Sequence, residues 1–295
     1  MANLIVKKPS GEILFDTDKI TYGLVKSGNM QFIQGWTRRY LRSAGLNPTN
    51  GANWTISVVR SDTSDGDGLW GFTVNNARSP IVFIHGSGCL NGTIKSGSSL
   101  TFLYSNASTS TRFYCFDLMS DSLQGSPYLK TYRESDGVIT FNSLQPPLNI
   151  VSAISAPPPS PIYQAPNWRG WTYDGGRLEV RQQAAVIGGI RYQRQKDCIF
   201  DYPLSAGVLY ATYLPWSRGA SLVDVWSTDQ ESYAVIEGAY GRVGGISFIF
   251  GASAGTTSSR PPVGPTAPSG YADVPTDRYP IALSIDATNL PFPFN

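Results

Sequence analysis

Residues 69–116 read LWGFTVNNARSPIVFIHGSGCLNGTIKSGSSLTFLYSNASTSTRFYCF. The runs 69–74 (LWGFTV), 81–85 (IVFIH), 100–104 (LTFLY) and 112–116 (RFYCF) are dense in β-branched and aromatic residues, which fit a pleated surface. Between them lie Asn, Ser, Gly and Thr clusters that turn the chain. Similar runs occur at 54–59 (WTISVV), 178–186, 208–214, 233–237 and 246–250. Strands about ten residues apart with turn clusters between them predict antiparallel sandwiches or barrels rather than βαβ units. The expected fold class is all-β, with antiparallel, jelly-roll-like β-sandwich domains. Only 30–41 shows some helical spacing, in Ile33, Trp36 and Tyr40. Met30, Phe32, Trp36 and Tyr40 partly fit period two, and composition favours a strand.

Composition agrees. Of 295 residues, 15% are charged, and Gly (30) and Pro (21) exceed average usage. There are 5 Glu and 7 Lys against 16 Asp and 16 Arg. The residues that normally cover exposed helix faces are therefore scarce. Apolar content of 41% is too high for disorder. No apolar run approaches the roughly 18 residues of a membrane helix, so no membrane insertion is expected.

A net charge of +2 gives no basis for nucleic-acid binding, which calls for a concentrated basic stripe. The densest basic cluster, Arg38, Arg39 and Arg42, reads as a solvated face. Cys89, Cys115 and Cys198 are odd in number and widely spaced, without a zinc pattern. They read as buried free thiols, in keeping with synthesis in a reducing cytoplasm. The stretch MANLIVKKPSGEILFD lacks the apolar core and cleavage site of a secretory signal.

Two proline clusters punctuate the chain. Residues 146–166 hold seven prolines and 260–280 hold six. The expected organisation is an N-terminal β-sandwich domain over 1–152 and a Pro-rich linker over 153–167. A second β domain over 168–253 and a Pro-rich arm with a C-terminal strand over 254–295 follow. The closing LPFPF is a liability if left bare, so it is expected to pack on its own chain or across a subunit interface.

One pattern recurs. Gly11-Glu-Ile13-Leu-Phe15-Asp16-Thr17 is followed by Leu24-Val25, and Gly137-Val-Ile139-Thr-Phe141-Asn142-Ser143 by Ile150-Val151. Both read GxIxF[DN][ST], each after an apolar run, Leu4–Val6 or Leu129–Tyr132. The pattern predicts a hairpin with a Gly turn, Ile and Phe sharing one face, and an Asx or hydroxyl side chain bonding the backbone at the exit. If those phenyls are buried, Phe15→Ala and Phe141→Ala should each cost about 3–5 kcal/mol.

This hairpin, with the stretch RFYCFDLMSDS…LKTYRESDGVITFNS…LNIV (112–151) and the closing Ile285-Asp286-Ala-Thr288-Asn289, resembles tail-tip, baseplate and tail-fibre proteins of long-tailed bacteriophages. The similarity covers about a quarter of the chain; 168–250 resembles no named family. It implies a β-rich virion protein of the tail, made in the host cytoplasm. It also implies a homo-oligomer, commonly a trimer, that joins other tail or baseplate proteins and contacts a host surface glycan or protein receptor. A non-viral carbohydrate-binding module is the alternative, and a glycan-degrading tail enzyme a more distant one.

Chemistry gives little beside this, and the expectation is a non-enzymatic chain without a cofactor. His85, the single histidine, precedes Gly86-Ser87-Gly88, but no GxSxG elbow accompanies it. Asp62, Asp65 and Asp67 form an acidic loop that lacks EF-hand spacing and its bidentate Glu, so a solvated turn is expected ahead of a weak metal site. The Gly-rich 241–251 matches no nucleotide-binding loop. Paired carboxylates that meet only in three dimensions remain open. Trp168, Trp171, Tyr173 and Trp216 are the candidate surface-binding aromatics, with core anchoring as the competing reading for the first three.

Overall fold

The computed structural model describes all residues except 1–4, 12, 17–18, 36–38, 42–49, 51–53, 57–67, 122, 161–171, 181–185, 188–189, 192–195, 227–228 and 261–269. Among the described residues every regular element is a strand, and the architecture is an all-β, sandwich-like fold. The 30–41 stretch contributes the strands Gln31–Gly35 and Arg39–Leu41.

One large curled sheet dominates. Its backbone order is Ser152–Ser155, Ile281–Asp286, Tyr210–Tyr213, Ile81–His85, Asp229–Arg242, Gly245–Arg260, Lys196–Pro203 and Arg177–Val180. Arg112–Leu118 joins Ile81–His85 and carries Tyr22–Asn29 on its other side. Pairing is antiparallel apart from Gly241↔His85 and the Arg39–Leu41 contact with Gly245–Arg260. A separate four-stranded sheet runs Gln31–Gly35, Gly68–Asn75, Ser99–Ser105, Cys89–Ser96.

The 153–167 segment does not interrupt the large sheet, because Ile81–His85 pairs with strands that follow the prolines. Stretches 1–152 and 168–253 therefore share a sheet and a core. Sheet neighbours are chosen by complementary faces, and a proline-rich crossing of any length leaves that choice free. At the junction, Gly241 is required: a Cβ there would overlap the Tyr210 carbonyl oxygen.

The apolar runs are unusually continuous because their strands are buried on both faces. Val82 and Ile84 join Phe72, Phe102, Phe113 and Cys115 in the core beneath the four-stranded sheet. The alternate residues Phe83, Tyr114 and Phe116 point the other way, onto Leu24, Ile285 and the chain end at Phe292 and Phe294. Phe72 and Phe113 stack with ring centroids 3.6 Å apart. Gly245–Arg260 alternates similarly, with Ile246, Phe248 and Phe250 in a third core and Ile249 in a small fourth beside Cys89. All three cysteines are buried and free, and burial raises the Cys115 and Cys198 thiol pKa values.

The third core contains an ion pair. Arg218 donates from Nε to Glu237 Oε2 and from Nη2 to Oε1, both at 2.8 Å, with both side chains fully buried. Tyr173 Oη donates to Glu237 Oε1, also at 2.8 Å. The guanidinium further donates to the Pro157 and Pro275 carbonyls, each at 3.3 Å, and lies over the Tyr279 ring. One cation thus fastens both proline-rich stretches to the sheet.

Candidate functional site

The chain end shapes the main concavity. Ser27 and Phe294 exchange backbone bonds, Ser27 N–H to Phe294 C=O at 2.9 Å and the reverse at 3.1 Å. Ser27 Oγ donates to the Pro291 carbonyl at 2.7 Å, and Asn295 Nδ2 to the Val25 carbonyl at 3.1 Å. Phe292 packs on Tyr114 beneath the Arg112 guanidinium. Of the two fates open to LPFPF, packing on its own chain is the one seen; its rings are half-buried.

Two clefts flank Asn295, in the angle between Tyr22–Asn29 and the four-stranded sheet, and Lys26 and Asn295 line both. The larger, about 810 Å³, is walled by Asn29, Gln31 and Thr73 and backed by Phe72 and Phe113. The smaller, about 580 Å³, is walled by Asn75, Asn76, Arg78 and Ser120, with Val25 and Leu118 beneath. Lys26 spans the gap between the sheets, donating to the Thr73 carbonyl at 3.0 Å.

The turn after Gly68–Asn75 sets the polar wall. Asn76 has φ 55°, a left-handed conformation that Asn tolerates. Its N–H donates to the Ser98 carbonyl. The buried Asp117 carboxylate accepts the backbone N–H groups of Arg78, Ser79 and Leu118 at 2.7–2.8 Å. Arg78 Nη2 donates to the Leu118 and Met119 carbonyls. The wall's carboxylate is thus occupied by backbone donors, while its two cations are bonded to neutral oxygens. Against these cations stand two carboxylates, that of Asp117 and the chain-terminal one of Asn295.

The recurring hairpins are both present. Ile5–Lys7 pairs with Ile13–Asp16 in the register Ile5↔Asp16, Val6↔Phe15, Lys7↔Ile13, with a shift between Val6 and Lys7. Lys130–Tyr132 pairs with Ile139–Asn142 as Lys130↔Asn142, Thr131↔Phe141, Tyr132↔Ile139, shifted at the equivalent step. Gly11 and Gly137 sit two residues before the Ile in positive φ, 86° and 68°, which glycine adopts without strain. Each pair forms its own two-stranded sheet.

In the second hairpin the buried side is polar: Thr140 and Asn142 are buried, while Ile139 and Phe141 are half-buried. Asn142 Nδ2 donates to the Ser120 carbonyl and Oδ1 accepts the Leu144 N–H. The polar side wins because the Ser120 carbonyl and the Leu144 amide need partners where the chain turns back to the sheet. The equivalent Phe15 lies outside the side chains described.

Trp168, Trp171, Arg38, Arg42 and the Asp62/Asp65/Asp67 loop lie outside the described residues. Tyr173 is not a surface aromatic; it is fully buried, where Glu237 satisfies its hydroxyl. Trp216 is 43% exposed. His85 is half-buried with Nδ1 2.9 Å from the Tyr210 carbonyl oxygen. Burial lowers its pKa, the Tyr210 bond partly opposes this, and Arg112 adds to the lowering. No cluster of three or more metal-ligating side chains occurs among the described residues. Likewise, none of their helices is long and apolar enough to cross a membrane.

Lys26, Asn75, Asn76 and Arg78 were not legible as a site. The only signal is the polar string NNAR between two apolar runs, which reads equally as an ordinary turn. Comparison of the chain with protein-family models, curated proteins and solved structures finds no match in any of the three.

Proposed function

We propose that this protein is a non-enzymatic structural component of a bacteriophage tail tip or baseplate, contributing to fibre attachment or host receptor binding. The reading rests on the similarity of its hairpin sequences to such proteins. The observation that carries it is the repetition of one hairpin, register shift included, at 5–16 and 130–142. Both copies expose apolar side chains: Ile5 is 45% and Ile13 53% exposed, and Tyr132 is 52%. Beside the second, Tyr128 is 91% exposed. A two-stranded hairpin is marginal in water, and apolar exposure of this kind suits burial against a neighbour. The neighbours proposed are further copies of the chain, as a trimer, and other tail or baseplate proteins of the virion.

Co-expression with the products of neighbouring reading frames, followed by size-exclusion chromatography with light scattering, tests the proposal. The expected result is a homo-oligomer or a stable complex that Tyr128→Ser/Tyr132→Ser weakens at least about tenfold, in line with loss of central aromatic contacts. A 32 kDa monomer that joins none of those products overturns it. The exposed Trp216 favours a second reading, a carbohydrate-binding module without a tail partner.

A further inference from the structure

We propose that the strand Ser152–Ser155 pairs, edge to edge and antiparallel, with the same strand of a second copy of this chain, about a two-fold axis at Ser152. This surface is distinct from the hairpins, and its pairing does not rest on the tail reading.

Ser152–Ser155 is the outermost strand of the large sheet; it pairs with Ile281–Asp286, and no described residue pairs with its other edge. Bonds alternate along an antiparallel strand. Ala156 N–H donates to the Pro280 carbonyl, and in that phase Ile154 and Ser152 bond Ile281–Asp286 while the N–H groups of Ala153 and Ser155 face outward. Native edges are normally blunted by charge, bulges or cover, as other edges here are. Arg177–Val180 carries the Arg177–Glu179 ion pair, Cys89–Ser96 carries Lys95, and Gln31–Gly35 shifts register between Phe32 and Gln34. Tyr22–Asn29 is covered by Pro147 and Phe294. Around Ser152–Ser155, by contrast, the sequence holds no charged residue from 137 to 168, and Ile150, Val151 and Ile281 are exposed.

A hydroxyl selects the occupant. Ser152, Ser284 and Thr212 form one row across three strands. Ser284 and Thr212 are fully buried, with Oγ and Oγ1 3.2 Å apart. Ser152 Oγ, at the open end of the row, is buried without a hydrogen-bond partner among the described residues, which is a costly state. A two-fold axis at Ser152 sets the hydroxyl of the second copy opposite it, in a non-bonded pair where side chains approach most closely. Either hydroxyl can donate to the other. The same register sets Ile150 against Ile154 on the face of the third core and Val151 against Ala153 on the other face. Ala153 and Ser155 then donate to the Val151 and Asn149 carbonyls of the second copy, while Val151 N–H keeps its bond to the Ser284 carbonyl. Shifting the pairing by two residues sets Ser152 against Ile154 and leaves the hydroxyl unpaired. Closure about the two-fold uses up both edges, so the pairing ends at two strands.

Size-exclusion chromatography with light scattering on the intact chain, over a range of concentrations, tests the pairing. The expected mass is an even multiple of the 32.0 kDa chain: two copies, or six if the hairpins also gather three. Val151→Lys puts a charge on the edge, and Ala153→Pro removes an outward N–H where an edge strand tolerates proline. Each should weaken pairing at least about tenfold with the melting temperature unchanged. Cysteine substitution reads the register, since the three native cysteines are buried. Ser152→Cys should cross-link two copies in oxidised glutathione, because a Cα separation of about 4.5 Å suits a disulfide; Ser155→Cys should not. A monomer, a trimer alone, pairing that survives both edge variants, or equal cross-linking at 155 overturns the proposal. Tyr128→Ser/Tyr132→Ser leaves this edge intact, so loss of the hairpin contacts and loss of the edge pairing are read separately.

Discussion

His85 shows how one half-buried group ties stability to pH. Burial holds its pKa below the usual imidazole value of 6.5, so as pH falls the unfolded chain takes up the proton first. The contribution of the neutral ring is complete above about pH 6.5 and is lost as pH drops toward the lower folded value. Urea unfolding should therefore show lower stability at pH 5 than at pH 7.5, and His85→Gln should reduce that difference. An unchanged pH dependence in the variant would show that other groups carry it. The half-buried ring is held with Nδ1 at the Tyr210 carbonyl oxygen.

At the scale of elements, the hairpin at 130–142 inverts the expectation drawn from its sequence. The motif was read through Ile and Phe, yet Asn142 ties the hairpin to Ser120 and Leu144 while Phe141 is only half-buried. Asn142→Ala strands a buried carbonyl and an amide and should cost about 1–3 kcal/mol. Phe141→Ala should cost about 1 kcal/mol, short of full aromatic burial. Chemical denaturation of the two variants checks the order; a larger loss at Phe141 would refute the assignment of the anchor. Alternation in the runs 81–85 and 112–116 likewise gained its meaning from the tertiary structure. Odd and even residues feed different cores, so the confinement of polar residues to the run ends, His85 and Arg112, reflects two buried faces.

At the scale of the molecule, the Arg218–Glu237 pair joins parts of the chain that the sequence separates. The guanidinium reaches Pro157 before the second half and Pro275 in the arm. Arg218→Met leaves Glu237 buried without its cation and should cost about 3–5 kcal/mol, whereas Arg218→Met/Glu237→Leu should recover much of that loss. Urea unfolding of the intact chain measures both. A single variant within about 1 kcal/mol of the parent would rule out the clasp as a main fastening of the proline-rich stretches.

The all-β class was determined by the sequence itself, because β-branched and aromatic runs, turn clusters and scarce Glu and Lys are local properties that act before any distant contact forms. The hairpin turns were legible for the same reason: Gly11 and Gly137 meet a backbone requirement a few residues wide. The sheet joining Ile81–His85 to Tyr210–Tyr213, the burial of Tyr173 against Glu237 and the cleft at Lys26, Arg78 and Asn295 were decided by the tertiary structure alone. Each depends on which faces meet across more than fifty residues of chain, and that is a matter of packing and charge pairing that no local pattern encodes.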